Sequence, residues 1–166
     1  MHNTYSIPLI EENRKVWYDA DRTTTGCGIR PHSGSEGADT MIKGLGLDLC
    51  GISRMEKLLG DERFLNRYFG EDEIAYIRSK GKNAAQTMAG IYAAKEAFSK
   101  ALGTGIAFEL KEIRICHDAA GKPGYILSGK AEELGQGDSF LLSVSHDAGM
   151  AAAVCVREDN HSTERR

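Results

Sequence analysis

Two hydrophobic patterns alternate along the chain after residue 40, and each predicts a different kind of element. In residues 44–49 every second position is leucine, which is the period of a β-strand. The leucines share one face, and Asp48 lies on the other face together with Gly44 and Gly46, which leave room for a bulky neighbour. We therefore expect the Asp48 carboxylate to be presented rather than packed.

Helical spacing replaces this alternation directly after the strand. An apolar stripe at helical intervals predicts a first helical stretch that ends near Gly70. The members of this stripe are Ile52, Met55, Leu58 and Leu59. A second, short helix is predicted over residues 71–79, with acidic residues in its first turn and basic residues at its end, as the helix dipole favours.

The longest predicted helix covers residues 83–102. Asn83 is a good N-terminal capping residue with Gln86 three positions later, and Gly103 stands where a left-handed C-terminal cap is expected. Alanines fill much of the interior. Glu96 and Lys100 lie one turn apart, on a common face of this helix.

Strand signals dominate the remainder of the chain. Alternation over residues 113–115, a turn at 121–124 and an apolar run at 125–127 predict two strands, and a short helix is expected near 130–134. Two further strands, over residues 140–145 and 150–156, are joined by a tight reversal. The order of elements predicts an α+β fold with an antiparallel sheet packed on one long helix.

Composition and charge limit the domain organisation and the partners. The chain has 166 residues, 41% of them hydrophobic, which suits one domain, assigned to residues 41–156, with residues 1–40 a disordered extension and 157–166 a polar tail. With 21 basic and 24 acidic residues the net charge is −3, which argues against nucleic-acid binding. Membrane spans and signal peptides need apolar runs that are absent here, so we expect a cytoplasmic protein without membrane contact.

Asp48, Glu96 and Lys100 are the residues that suggest chemistry. Two carboxylates brought together suit Mg²⁺, which leaves positions open for phosphate and water. A lysine one turn away, and the backbone N–H groups of the Gly-Thr-Gly loop at residues 103–105, can hold phosphate oxygens. The alternative is that Asp48 is a solvated strand residue and that Glu96 and Lys100 form an ordinary helix ion pair, and spacing alone leaves this open.

Four segments, in this order, resemble the motifs of the holo-acyl-carrier-protein synthases, the short phosphopantetheinyl transferases of bacterial type. The resemblance spans residues 41–156, and its most specific part is the Ala-Ala-Lys-Glu-Ala run at 93–97. The segments are Gly46-Leu47-Asp48, residues 92–103, Gly121-Lys122-Pro123 and Ser143-Val144-Ser145-His146.

This resemblance implies a reaction and the residues that perform it. The 4'-phosphopantetheine group of coenzyme A would pass to a serine of an apo acyl carrier protein, releasing adenosine 3',5'-bisphosphate, in support of fatty acid biosynthesis. Asp48 and Glu96 would be the Mg²⁺ ligands, and Lys100 would stabilise charge on the phosphates. Either Glu96 or a metal-bound water would accept the serine proton.

The resemblance also implies sites for both substrates. Arg54, Arg63 and Arg67 would contact the acidic carrier protein, with Arg54 the strongest candidate. Lys95 is expected to support the structure or to contact a phosphate across a subunit boundary. The coenzyme A contacts would be Lys100, Gly103, Thr104, Gly105, Pro123 and His146.

The family is homotrimeric, and we expect the same here, with active sites between subunits and His146 or the final hairpin near a boundary. A hydrolase triad at residues 145–147 is strongly disfavoured because adjacent strand residues point to opposite faces. Two rival hypotheses remain. One is a catalytically silent module that binds carrier protein or coenzyme A, and the other is a different Mg²⁺-dependent phosphotransferase.

Overall fold

The computed structural model describes residues 41–105 and 107–159 and confirms the predicted α+β architecture. The predicted extension at residues 1–40 and the end of the chain from residue 160 lie outside the described residues. In chain order the elements are β1 (Ile42–Gly51), α1 (Ile52–Glu56), α2 (Glu62–Tyr68), α3 (Glu71–Ser79), α4 (Ala84–Leu102), β2 (Ile113–His117), β3 (Pro123–Leu127), α5 (Gly129–Gly135), β4 (Asp138–Asp147) and β5 (Met150–Asp159).

The strands form two antiparallel sheets, a three-stranded sheet in the order β1-β5-β4 and a hairpin of β2 and β3. The tight reversal between β4 and β5 is a two-residue turn in which Ala148 and Gly149 both have positive φ, as this hairpin geometry requires. Strand β5 runs to Asp159, three residues beyond its predicted end at residue 156, because Arg157 and Glu158 still pair with β4.

Helix α4 packs on the three-stranded sheet and contributes most of the core. Gly103 ends it in the left-handed conformation with φ of 79°, as predicted. The predicted side-chain cap by Asn83 is wrong: this residue completes a 3₁₀ turn, and its backbone lacks the extended conformation of a capping residue. Fully buried members of the core around α4 include Met88, Ala93, Phe98, Ile113, Ala153 and Cys155.

The first predicted helical stretch is divided into α1 and α2. Asp61 starts α2, since its carboxylate accepts hydrogen bonds from the backbone N–H groups of Arg63 and Phe64, both at 3.0 Å. The Phe64 ring then lies 6.1 Å from that of Tyr92, between centroids, which holds α2 against α4. A local cap therefore interrupts a stripe that reads as continuous in the sequence.

Lys95 is fully buried and supports the structure, one of the two roles expected for it. Its ammonium donates to Glu73 at 2.6 Å and to the carbonyls of Tyr68 and Leu110 at 2.9 and 3.2 Å. Burial lowers the pKa of Lys95, and the Glu73 carboxylate opposes that change. The Glu73 carboxylate also accepts from the backbone N–H of Ile115, so this pair ties α3, α4 and β2 together.

The leucine face of β1 is uncovered. Leu45, Leu47 and Leu49 expose 65%, 54% and 61% of their surface, on the side of the sheet away from α4. Val154 of β5 lies beside Leu47 in the register of the sheet and continues this apolar surface. Among the described residues, no helix combines the length and the apolar character that crossing a bilayer requires.

Candidate active site

The glycines of β1 bring the strand into backbone contact with α4. A Cβ atom on Gly46 would lie 1.8 Å from the Ala97 carbonyl oxygen, and one on Gly44 would lie 2.0 Å from that of Ala101. The bulky neighbour predicted from the glycines is therefore the helix itself. The expectation that Asp48 is presented rather than packed is wrong, because its side chain is only 17% exposed beside this helix.

Lys100 of α4 adds side-chain hydrogen bonds to the contact between α4 and β1. Its Nζ atom lies 2.8 Å from Asp48 Oδ1 and 2.8 Å from the carbonyl oxygen of Leu47, so one ammonium group joins α4 to two successive residues of β1. The ordinary helix ion pair between Glu96 and Lys100 is not what the structure contains. Lys100 instead pairs with the carboxylate that is remote in sequence.

Glu96 lies one turn before Lys100 and is half-buried on the same side of α4. Burial raises the pKa of the Cys50 thiol; Arg54 opposes that change, and the Asp48 and Glu96 carboxylates both add to it. Both carboxylates are therefore near one buried thiol. Convergence of the two acids on one metal ion stays a prediction, and the described contacts place Lys100 at Asp48, one helical turn from Glu96.

This donor set fits a magnesium ion. Of the described residues, no three His, Cys, Asp or Glu side chains form a cluster that could hold a metal by themselves. Proteins commonly supply one or two carboxylate ligands to Mg²⁺, and phosphate oxygens and water fill the other coordination positions. The Lys100 ammonium lies 2.8 Å from Asp48 Oδ1, so this carboxylate already pairs with a cation.

The predicted phosphate loop follows α4 directly. Gly103 and Gly105 have φ of 79° and 69°, values that favour glycine, and the Thr104 hydroxyl donates to the Gly105 carbonyl at 3.3 Å. All three residues are exposed and begin one turn after Lys100. Lys100 and this loop therefore lie together at the C-terminal end of α4.

The three arginines predicted to contact the carrier protein are exposed on α1 and α2. The Arg54 guanidinium lies 5.6 Å from the ring centre of Tyr92, one turn before Glu96, and that of Arg67 lies 5.4 Å from Tyr68. Arg63 follows the capping residue of α2. Arg54 is thus the arginine that the structure brings nearest to the acidic pair through a described contact.

Pro123 and His146 line a separate cleft of about 170 Å³. Tyr76 of α3 and His117 of β2 line it too, with their rings 5.5 Å apart between centroids. Sequence reasoning missed both of these residues, because they are 41 positions apart (117 minus 76) and only tertiary packing joins them. The remaining lining residues are Thr87, Gly90, Ile91, Ile115, Gly121 and Val144.

His146 is held against α4 inside this cleft. Burial lowers its pKa, a hydrogen bond to the backbone of Gln86 opposes that change, and the Nε2 atom is buried without a hydrogen-bond partner. A Cβ atom on Gly90 would lie 2.9 Å from Nε2 and 3.3 Å from Val144. The imidazole therefore occupies space that only a glycine at this point of the helix leaves free.

The cleft and the acidic pair lie on opposite sides of α4. At about 100° per residue, Thr87, Gly90 and Ile91 centre about 180° around the helix from Tyr92, Glu96 and Lys100. The structure thus brings Lys100 to Asp48, with Glu96 one turn before Lys100 and residues 103–105 directly after the end of α4. It does not bring Pro123 and His146 of the same chain to them.

Comparison with known proteins identifies the family of this chain. Residues 44–155 match the model of the 4'-phosphopantetheinyl transferase superfamily. A holo-[acyl-carrier-protein] synthase of Treponema denticola is 46% identical over 123 residues, covering 71% of this chain and 99% of the relative. One of Geobacter sp. is 45% identical over 126 residues, covering 71% and 99%.

Solved structures of holo-[acyl-carrier-protein] synthases are also similar to this chain. A holo-[acyl-carrier-protein] synthase of Neisseria meningitidis has a TM-score of 0.64 at 33% identity, covering 72% of this chain and 100% of that one. One of Bacillus anthracis, in complex with coenzyme A (3',5'-ADP), has a TM-score of 0.62 at 36% identity, covering 72% and 98%. The chain belongs to the 4'-phosphopantetheinyl transferase superfamily, within which these relatives are holo-[acyl-carrier-protein] synthases.

Proposed function

We propose that this chain is a holo-[acyl-carrier-protein] synthase, which transfers the 4'-phosphopantetheine group of coenzyme A to a serine of an apo acyl carrier protein. The observation that carries the proposal is the ion pair of Lys100 with Asp48 across the β1–α4 contact, one helical turn from Glu96. Coenzyme A bound to the Bacillus anthracis relative supports it as the donor. We place the reaction in the cytoplasm, in support of fatty acid synthesis.

The reaction is a phosphoryl transfer without a covalent enzyme intermediate. The serine oxygen attacks the β-phosphorus of coenzyme A, the bond from that phosphorus to the bridging oxygen breaks, and adenosine 3',5'-bisphosphate leaves. Glu96 would accept the serine proton. The product is a phosphodiester on the carrier, with atoms and charge balanced.

Asp48 and Glu96 would hold Mg²⁺, which supplies a positive charge that neutralises the diphosphate during transfer. Lys100 would bind a phosphate oxygen, since its ammonium lies beside the same carboxylate and its side chain is half exposed. Exposed backbone N–H groups at residues 103–105 would bind further oxygens. These residues together provide charge that is in place before the transition state forms.

The second wall of the site would come from another copy of the chain. Pro123 and His146 lie on the opposite side of α4 from the acidic pair, so one chain cannot present both sets to one coenzyme A. The uncovered leucine face of β1 offers a surface for such copies. We propose a homotrimer in which the cleft of one subunit faces the acidic pair of its neighbour.

The first experiment measures the mass of the carrier. Incubation with Mg²⁺, coenzyme A and apo acyl carrier protein is expected to add about 340 Da to the carrier, the mass of the transferred arm. A carrier whose serine is replaced by alanine is the control and should gain nothing. Binding of the carrier without any mass gain would favour the silent module, and phosphoryl transfer without a carrier would favour the other phosphotransferase.

A second experiment addresses assembly. Size-exclusion chromatography with light scattering should return a trimer, and Leu47→Glu should return a monomer with little activity, because a charge on the buried face of an interface is costly. Glu132→Gln on α5, an exposed position, is the control and should leave the trimer unchanged. A fully active wild-type monomer would contradict the shared site.

A further inference from the structure

The Lys100 ammonium binds the carboxylate that the expected metal would use. We infer that Lys100 competes with the metal for Asp48 until coenzyme A is present, so that the site takes up metal and coenzyme A together rather than metal first. This inference rests on the proposed function, because it assumes that Asp48 is a metal ligand. It concerns what this chain does before its substrate is bound.

The geometry of the resting contact supports the competition. Lys100 Nζ lies 2.8 Å from Asp48 Oδ1, a full charge-assisted hydrogen bond, and 2.8 Å from the Leu47 carbonyl oxygen. The ammonium therefore has two acceptors in place. A divalent ion that binds Asp48 alone must displace this contact or stay close to a like charge, and both of these cost free energy.

Coenzyme A removes that cost. The Lys100 side chain is 51% exposed on a flexible stem, so it can leave Asp48 for a phosphate oxygen without rearranging the core. The diphosphate then gives the lysine a new anionic partner at the moment when Asp48 becomes free for the metal. Because coupling between two ligands is reciprocal, coenzyme A should strengthen metal binding as much as metal strengthens coenzyme A binding.

No other described basic side chain takes the place of Lys100 as the ion-pair partner of Asp48. Arg54 acts on the same region, but its guanidinium stacks over Tyr92 rather than pairing with Asp48. Glu96 adds negative charge to the region and makes it more attractive to a cation. The described contacts of Asp48 therefore single out Lys100 as the cation at this carboxylate.

The experiment measures binding of Mn²⁺, a spectroscopic substitute for Mg²⁺, by the loss of the free-ion electron paramagnetic resonance signal. Full-length wild-type protein is compared with Lys100→Met, which keeps the length of the stem and removes the charge, and with Lys100→Arg, which keeps the charge. Lys57→Met is the matched control, since it removes one exposed positive charge elsewhere on the chain. Each protein is titrated without and then with coenzyme A.

Without coenzyme A, Lys100→Met is expected to bind Mn²⁺ up to about five times more tightly than the wild type, the limit that loss of one exposed ion pair allows. Lys57→Met and Lys100→Arg should stay within about twofold. With coenzyme A, the wild type should gain more Mn²⁺ affinity than Lys100→Met. Equal or weaker Mn²⁺ binding by Lys100→Met without coenzyme A would overturn the inference.

The double variant Asp48→Asn/Lys100→Met separates this inference from the proposed function. Loss of the Mn²⁺ binding that Lys100→Met retains would place the metal at Asp48, so equal affinity of wild type and Lys100→Met would then refute only the competition. Mn²⁺ binding that is unaffected by Asp48→Asn would refute the metal site itself, and the competition with it. Both measurements are independent of turnover.

Discussion

On one side of α4, the half-exposed Lys100 pairs with Asp48 one turn from Glu96; on the other side, His146 lies in a cleft with its Nε2 atom buried. The first side has the groups that a diphosphate and a metal need. The second has a proline and aromatic rings, which suit a flat organic group. One helix thus separates the two sets of residues, and the proposed site combines them from two chains.

The largest effect that tests this division should come from the charged side. We expect Glu96→Ala to reduce transfer by about a thousandfold, since a lost metal ligand removes several kcal/mol of transition-state stabilisation. The fold should survive, because the half-buried position on a helix favours alanine. Kinetics with the mass readout, together with circular dichroism, checks both statements.

Glu132→Ala, at an exposed position on α5, is the matched control and should leave turnover unchanged. Retained turnover in Glu96→Ala would remove this residue from the metal site. Unfolding of the variant would instead transfer the test to Glu96→Gln, which keeps the shape of the side chain.

A mixing experiment tests whether the two sets of residues act from different chains. Glu96→Ala chains have an intact cleft, and His146→Ala chains have an intact charged side. Random mixed trimers made by co-expression should regain about a quarter of the wild-type active sites, because each mixed trimer pairs one good charged side with one good cleft.

The two tagged variants are purified together, and their joint activity is compared with that of each variant alone. Recovery requires that the two residues act from neighbouring subunits. Joint activity no higher than the sum of the separate activities, in trimers shown to be mixed, would contradict the shared arrangement.

A smaller effect is expected from Gly90→Ala on the cleft side. Alanine would favour the helix by up to about 1 kcal/mol, yet its methyl group would press on the His146 ring 2.9 Å away. We expect the KM for coenzyme A to rise about fivefold with a smaller change in kcat, consistent with a positioning role. The His146 signals in a ¹H–¹⁵N spectrum should shift.

Gly60→Ala is the control, since nothing lies within 4 Å of a Cβ atom at that position. It should change neither the KM nor the histidine signals. An unchanged KM in Gly90→Ala, with shifted His146 signals, would show that the position of this ring does not affect coenzyme A binding.

The smallest effect is a pH dependence confined to the cleft side. Burial lowers the pKa of both His117 and His146 in the folded chain, whereas the unfolded chain titrates near the usual value of 6.5. Below that pH the unfolded state binds more protons, so the free energy of unfolding should decrease as pH falls from 7 towards 5. Urea denaturation at several pH values measures the decrease, and His146→Gln should make it less steep.

The sequence predicted those parts of the fold that local periods determine. Strand β1, helix α3 and the end of α4 at Gly103 follow from alternation, helical spacing and a glycine cap, all of which act within a few residues. The break between α1 and α2 was missed. A cap at Asp61 interrupts a stripe whose hydrophobic spacing continues past it.

The sequence predicted which residues belong to the candidate site better than it predicted which of them touch. Glycines in β1 signalled a close neighbour, but hydropathy does not say that the neighbour is the backbone of α4 or that the leucine face stays uncovered. Lys95 and Lys100 belong to one motif and differ entirely in burial, because the tertiary packing of α3 and β2 covers only the first. The predicted roles of Pro123 and His146 stay predictions until the assembly is measured.

The contact between Gly46 and Ala97 fixes how far apart the two acidic residues can be. Asp48 lies two positions after Gly46, and Glu96 lies one position before Ala97. The distance between the two acidic residues is therefore set by a contact between the two main chains, with no flexible side chain between them. A single added carbon at Gly46 would push strand and helix apart at the point where ångström accuracy counts. Engineering that aims to change the ion preference of the proposed metal site can therefore act on the separation of these two backbone segments.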